Sequence, residues 1–360
     1  MDEYKRVRIK DLEEFVSSVF MKLGVPEEDA HITADVLIRA DRRGIESHGV
    51  ARLVRYVKGI KDGIMNPRPN IKTVKETPVS LVVDGDAGLG QVVGYKTMKR
   101  CIEKAKENSI CMATIRNSNH YGIAAYYSLM ALEEGLIGIS ITNSAPLVVP
   151  TFGKDAVLGT NPISVAVPGG KEGAYVLDMA TSTVPRGKLE VYNRKGKKIP
   201  LVWATDEKGN PTDDPSLVLQ NLLERRGGGL LPLGGAEEET GGHKGYGLSL
   251  LVDIFSGVLS GGSTALDVYG KKGQPPDVCH FFACIDPEIF VTREELERGM
   301  DHLFSTLRNS TKREGYDRIY IHGEKEFEKE RENTEEVWLY HKVYDNIKEI
   351  GKELGVEAKF

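Results

Sequence analysis

Between residues 71 and 285, short apolar runs of strand length alternate with segments of helical period. That alternation restricts the chain to a mixed α/β architecture. The strand-like runs are Ile71–Lys75, Val79–Asp84, Ile110–Arg116, Leu136–Thr142, Ile163–Val167, Tyr175–Met179 and Cys279–Ile285, with a further one at Arg318–Ile321. Helical spacing is read at Val92–Glu107, Ile123–Glu134, Pro215–Arg225, Lys244–Ser260, Arg293–Ser310 and Glu335–Leu354. The first sixty residues read as three helices: Asp11–Leu23, with Leu12, Phe15, Val19 and Leu23 on one face, then Pro26–Arg43 and Ser47–Gly63. The expected organisation is an N-terminal helical region, 1–75, packed with 293–360, beside a central mixed-sheet region, 76–292. No repeat at a fixed period is present.

Composition narrows the classes. Hydrophobic residues are 40% and charged residues 28%, and the net charge of −5 gives no overall basic footprint for nucleic acid. No apolar run approaches the roughly 20 residues that span a bilayer. The start, MDEYKRVRIKDLEEF, lacks the apolar core of a secretory signal. A cytoplasmic protein is expected. Cys101, Cys111, Cys279 and Cys284 form no CxxC pair and are read as buried structural thiols, so no metal site is expected. His280, inside the apolar run CHFFAC, is read as a hydrogen-bonded core residue, and Glu324–Glu336 as a solvated charged segment.

The stretch Asp84–Gly94, DGDAGLGQVVG, has the outline of a dinucleotide-binding turn: a strand, spaced glycines, then a helix. Such a turn needs a carboxylate about 20 positions on, at the end of the next strand. The next strand here ends in Arg116-Asn117, and Asp84 and Asp86 would repel a pyrophosphate. The glycines are therefore read as a backbone turn that seats a helix on a strand.

Chemistry concentrates elsewhere. Ser47 reads as a helix N-cap, placing His48 beside unsatisfied N–H groups that favour the neutral imidazole. Arg52 and Tyr56 follow at four-residue steps on the same face. A base, a cation and a phenol on one stripe suit a small carboxylate substrate, with Arg52 as the clamp. An ordinary capped helix with a solvated Arg gives the same spacing. Asn117–Gly122, NSNHYG, carries His120 past a strand end, where ligands of α/β folds gather. Asn143-Ser144 has the same placement. Thr160 lies before another strand, Asp178-Met179-Ala180 end the next, and Arg186-Gly187 follow. Lys244, in HKGYG, opens a helix whose amides could meet a phosphate. No HExxH, GxSxG or P-loop is present.

With these stretches in place, the sequence resembles the type 2 malate/L-lactate dehydrogenase family, its archaeal malate-type members in particular. The matching blocks are ESHGVARLVRY, DGDAGLGQVVG, RNSNHYGIA, GTNPIS, LDMATS, LLPLGG and GGHKGYGLS, in family order. The resemblance implies a non-Rossmann mixed sheet flanked by helices, a separate helical part, and a homodimer or higher homo-oligomer. It implies reversible hydride transfer between NAD or NADP and an L-2-hydroxy acid: malate first, with sulfolactate and lactate as other candidates. Ser47 and His48 match the family's catalytic pair, with His120 the base in some members. Arg52 and Thr160 match substrate contacts. His120, Tyr121, Gly122, Ile123, Ala124, Asp178, Met179, Ala180, Arg186, Gly187 and Lys244 match cofactor contacts. The favoured acid/base is His48, with His120 as rival. Two alternatives remain open: an NADPH-dependent cyclic imine reductase, and a non-catalytic dinucleotide-binding member. Lys188 stands where some imine-reducing members carry an Asp, which favours hydroxy-acid chemistry. The insert around AEEETGG is longer than the family loop and leaves the reach of Lys244 open.

Overall fold

Val278–Ile285 is buried over its first seven residues, as its unbroken apolar composition requires of a strand covered on both faces. It is the central strand of a seven-stranded sheet in the computed structural model, which describes residues 3–270 and 273–360. In chain order the elements are β1 (Tyr4–Arg8), α1 (Ile9–Lys22), α2 (Glu27–Arg42), α3 (Leu53–Lys61), β2 (Lys72–Thr77), β3 (Ser80–Asp84), α4 (Gly90–Asn108) and β4 (Ile110–Ser118). Then come α5 (Ala125–Glu133), β5 (Ile137–Thr142), β6 (Ile163–Val167), β7 (Tyr175–Met179), α6 (Arg186–Arg194), β8 (Ala204–Thr205), α7 (Pro215–Glu224) and β9 (Gly229–Leu230). The chain ends with α8 (Gly242–Asp253), β10 (Val278–Ile285), α9 (Arg293–Asn309), α10 (Glu324–Glu332), β11 (Glu336–Tyr340) and α11 (His341–Leu354).

The large sheet runs β2-β3-β4-β10-β5-β6-β7. Only β3 and β4 are parallel; β10 runs antiparallel to both β4 and β5. The sheet is mixed, and the serial parallel βαβ order of a dinucleotide fold is absent. This antiparallel arrangement has a consequence for the site. The ends of β4, β5 and β7 and the starts of β6 and β10 all fall on one edge of the sheet.

One core is built from α1, α2 and α3 together with β11 and α11. Leu12, Phe15, Phe20, Leu37 and Tyr56 pack there with Val337, Leu339, Ile347 and Ile350. A second core lies between the sheet and helices α4 and α5, with Val93, Met98, Ile115, Tyr127 and Phe282. Helix α9 lies against the 170–172 loop, where Asp301 accepts the Lys171 and Glu172 amides. The four cysteines are free and buried. Among the described residues, no helix is long and apolar enough to cross a membrane.

Several expected elements differ. The third helix does not start at Ser47: two 3-10 turns, Glu46–His48 and Val50–Arg52, precede α3. Glu335–Leu354 is not one helix. Its β-branched and aromatic start, EVWLY, pairs as β11 with β1, a strand that the helical reading of the N-terminus passed over. Arg318–Ile321 is irregular, held where the Ile321 amide donates to Glu324 at 2.9 Å. The acidic segment after residue 324 forms α10, whose Glu330 pairs with the buried Arg43 at 2.6 Å and with Arg39. Charge patterning read as solvation was half of an ion-pair network.

Candidate active site

At the shared sheet edge lies a cleft of about 480 Å³. Ser47, His48, Arg52 and Arg55 come from the 3-10 turns and the first turn of α3. His120, Tyr121 and Gly122 follow β4; Thr142, Asn143 and Ser144 end β5; Thr160 precedes β6. Arg186, Gly187 and Glu190 close one side from α6, and Tyr269 closes another.

The imidazoles of His48 and His120 stack, with ring centroids 5.6 Å apart and planes 20° from parallel. His48 Nδ1 is 2.9 Å from Ser47 Oγ, and His120 Nδ1 is 2.6 Å from Tyr56 Oη. Burial, then the Arg52 and Arg55 charges, bring the His48 pKa down to about 4. Burial and the same cations, Arg55 first, hold His120 well below the ordinary histidine range. Both rings are neutral at pH 7. His48 owes its neutrality to burial and to these cations, in place of the expected helix N-terminus, because Ser47 caps no helix.

Each backbone turn is locked from behind. The buried Asp41 carboxyl, pushed up to about 8 by burial, accepts the Val50 amide at 2.8 Å. Gly49 presses so close to that carboxyl that any Cβ would overlap it. The DGDAGLGQVVG stretch performs the same task for His120. Asn119 Nδ2 donates to the Ala87 and Gly88 carbonyls at 2.8 and 3.0 Å. A Cβ on Gly90 would meet the Asn119 and His120 carbonyls at 2.1 and 2.5 Å. The glycines thus seat α4 as expected, and they also bracket the His120 turn.

Tyr56 corrects the sequence reading. It was expected at the substrate, yet it is fully buried and faces His120. The Tyr121 side chain likewise turns into the core, stacking on His280 at 4.5 Å, so only its backbone is available to a ligand. Ile123 and Ala124 are buried ahead of α5. Thr160 and Ser144 bind each other, with Thr160 N donating to Ser144 Oγ at 3.0 Å. Asn143 is buried, accepting from Cys279 N and donating to Ser263 O. Lys244 is exposed on the first turn of α8 and is not among the cleft residues. Arg55, Glu190 and Tyr269 are cleft residues that the sequence did not flag.

A second cavity, of about 260 Å³, is lined by Arg43, Ala125, Asp178, Tyr320, His322 and Gly323, among others. Gly122, in the first cavity, and Ala125, in the second, are joined by Ile123 and Ala124 at the start of α5. Asp178 Oδ2 accepts the Ala125 amide at 2.9 Å. Met179 and Ala180 follow at the end of β7, on the same sheet edge.

Two neutral imidazoles thus lie in one cleft with Arg52 and Arg55, neither of which has a salt-bridge partner among the described residues. The chain's relatives place that site in a class. The family profile described as malate/L-lactate dehydrogenase matches residues 7–348. A malate dehydrogenase of Pyrococcus horikoshii is 52% identical over 358 residues, covering 99% of this chain and 98% of that protein. An L-sulfolactate dehydrogenase of Methanocaldococcus jannaschii is 42% identical over 347 residues, covering 96% of each. The crystal structure of malate dehydrogenase from Entamoeba histolytica superposes with a TM-score of 0.95 at 39% identity, covering 99% of this chain and 100% of that one. The fold and the relatives are those of 2-hydroxy acid dehydrogenases, oxidoreductases that work with a nicotinamide cofactor. The chain belongs to the malate/L-lactate dehydrogenase family.

Proposed function

We propose that the protein oxidises an L-2-hydroxy acid reversibly with NAD or NADP, malate or sulfolactate before lactate. The observation that carries this reading is the placement of Arg52, His48 and His120 in one cleft. Arg52 holds the carboxylate next to the reacting carbon, its own position fixed where Nε donates to the Ser47 carbonyl at 2.5 Å. Thr160 and Ser144 offer hydroxyls to the substrate and cofactor side of the cleft.

The proton is exchanged at His120. In the tautomer whose Nδ1–H donates to the buried Tyr56 Oη, Nε2 is the unprotonated ring nitrogen that takes the substrate hydroxyl proton. Tyr56 stays protonated, its pKa pushed up to about 12 by burial. A second reading assigns the proton to His48, favoured by its contact with Ser47. There Ser47 orients the ring.

The cofactor, when bound, supplies the hydride acceptor. The chain's residues fit it: the Gly122 backbone lines one cavity and Ala125 with Asp178 lines the other, so residues on either side of Ile123 and Ala124 would hold its two halves. Gly122 has φ +89, and a Cβ there would meet the buried Val36 at 2.7 Å, so this turn requires glycine. Asp178, Met179, Ala180, Arg186 and Gly187 are the remaining contacts we assign, and Lys244 is dropped from the set. Cyclic imine reduction is not favoured: Lys188 is exposed on α6 and supplies no carboxylate to either His.

We also propose a cytoplasmic homodimer. Leu250, Leu251, Ile254, Phe255, Val258 and Leu259, on α8 and the π-helical turn that continues it, are exposed apolar residues of the kind a second copy covers. Light scattering on the purified protein tests the dimer. The function is tested by following reduction of NAD and of NADP with malate, sulfolactate, lactate and, in reverse, a cyclic imino acid.

A further inference from the structure

Arg55 is a further cation of the cleft, beside Arg52 and Arg186. It follows Arg52 by three residues on helical backbone, a spacing of about 5–6 Å between Cβ atoms on one side of a helix. Its Nη2 donates to Tyr269 Oη at 2.8 Å, and both groups face the cleft. Tyr269 comes from the 3-10 turn Ala265–Tyr269, far along the chain, so the bond fixes where the guanidinium points.

The charge around it is unbalanced. Among the described residues, no carboxylate lies within 4 Å of either Arg52 or Arg55. Glu190, the acidic residue of this wall, is already paired with Arg186 at 3.0 Å. By contrast, Arg39 and Arg43 share Glu330, and Arg308 joins Glu172 and Glu324. Burial and then the Arg55 charge press the Arg52 pKa down, with the Glu190 carboxylate offsetting only part of that effect. Two part-buried guanidinium groups with neutral histidines beside them cost free energy until an anion arrives. A monocarboxylate offsets one of them. An anion with two acidic groups separated by a short carbon chain offsets both.

We infer that Arg55, aimed by Tyr269, selects dianionic substrates: Arg52 takes the carboxylate beside the reacting carbon, and Arg55 takes the second acidic group, carboxylate or sulfonate. This rests on the 2-hydroxy acid reading and adds the residue that separates malate-like from lactate-like substrates. Charge-assisted pairing of this kind is directional for Arg and is lost with a neutral amide.

The test compares kcat/KM for L-malate and L-2-hydroxybutyrate in wild type, Arg55→Gln, Arg55→Lys and Tyr269→Phe. The expected result is a fall of roughly 100-fold in the malate-to-hydroxybutyrate ratio for Arg55→Gln, expressed in KM for malate, since a site built to pair a polar group rejects loss of that pairing strongly. Arg55→Lys restores part of the ratio, and Tyr269→Phe lowers it by about 10-fold. An equal loss for both substrates, or no loss, overturns the inference and leaves the dehydrogenase reading intact. Binding of malonate against acetate, read by calorimetry in the same variants, separates the two ideas. If no hydroxy acid is turned over but malonate binding still depends on Arg55, the function reading fails and the charge assignment stands. If malonate binds Arg55→Gln as it binds wild type, the assignment fails.

Discussion

The Tyr56 hydroxyl lies 2.6 Å from His120 Nδ1, at a depth where Tyr56 itself has no solvent exposure. That contact fixes which imidazole nitrogen can reach the cleft. It joins the helical core of the chain ends to the strand end that carries His120. Replacing Tyr56 with Phe removes the partner and leaves one ring nitrogen unsatisfied in a buried place. The expected outcome is a fall in kcat of about 10- to 100-fold with KM for malate changed little. Steady-state cofactor reduction measures both, and thermal melting checks that the fold survives.

The cations around the two rings set a pH dependence. Oxidation needs a neutral imidazole; in the free enzyme His48 stays neutral down to about 4, and burial and the nearby cations hold His120 well below the ordinary histidine range. As pH falls through 6.5, where an ordinary histidine protonates, kcat/KM for oxidation should therefore hold, declining only near pH 4–5 by histidine titration. Arg55→Gln removes a charge that lowers both values, so the acid limb moves to higher pH. A pH profile of kcat/KM with a monoanionic substrate isolates this effect from substrate charge.

Gly49 is required for close approach, since its φ of −82° suits any residue. A Cβ there would lie 1.9 Å from Asp41 Oδ1. Gly49→Ala must push the carboxyl or the Ser47–Val50 turn aside, at a cost of about 1–3 kcal/mol or more. The melting temperature should drop, and malate turnover should drop further than stability explains, because the displaced turn carries His48 and Arg52.

His280 couples stability to pH. It is fully buried, with Nδ1 2.7 Å from Thr142 Oγ1 and Nε2 2.9 Å from Ser118 Oγ. Burial brings its pKa down to about 3. The unfolded chain binds this proton below about 6.5 and the folded chain does not, so stability is full above 6.5 and is lost as pH falls toward 3. The loss is on the order of a few kcal/mol. Chemical denaturation at pH 7 and pH 4.5 should show a smaller pH difference in His280→Gln than in wild type.

Periodicity made the sheet strands and most helices legible, because each has one partner face and a pattern that reports it. Position at a strand end made His120, Asn143, Ser144 and Thr160 legible for the same reason. The failures have physical causes. Tyr56 shares a helical stripe with Arg52, but the stripe faces the core one turn later, so spacing alone misassigned it. Ser47 is an N-cap by residue type, yet Gly49 and Asp41 demand a 3-10 turn there. EVWLY took the period of the helix after it, and only its pairing with β1 makes it a strand. Arg55 carried a signal that was passed over, three residues beyond Arg52. Tyr269 carried none, since only tertiary folding brings its loop to the cleft. DGDAGLGQVVG pointed to the site without binding in it: its glycines admit the Asn119 and His120 backbone.

The account turns on proton exchange at His120 within the Arg52 cleft. Its most direct test is kcat for L-malate oxidation in His120→Ala beside wild type, both at saturating cofactor. The account predicts a loss of about 10²- to 10⁴-fold in kcat with substrate binding largely kept. A variant that keeps kcat within a few-fold of wild type would contradict it.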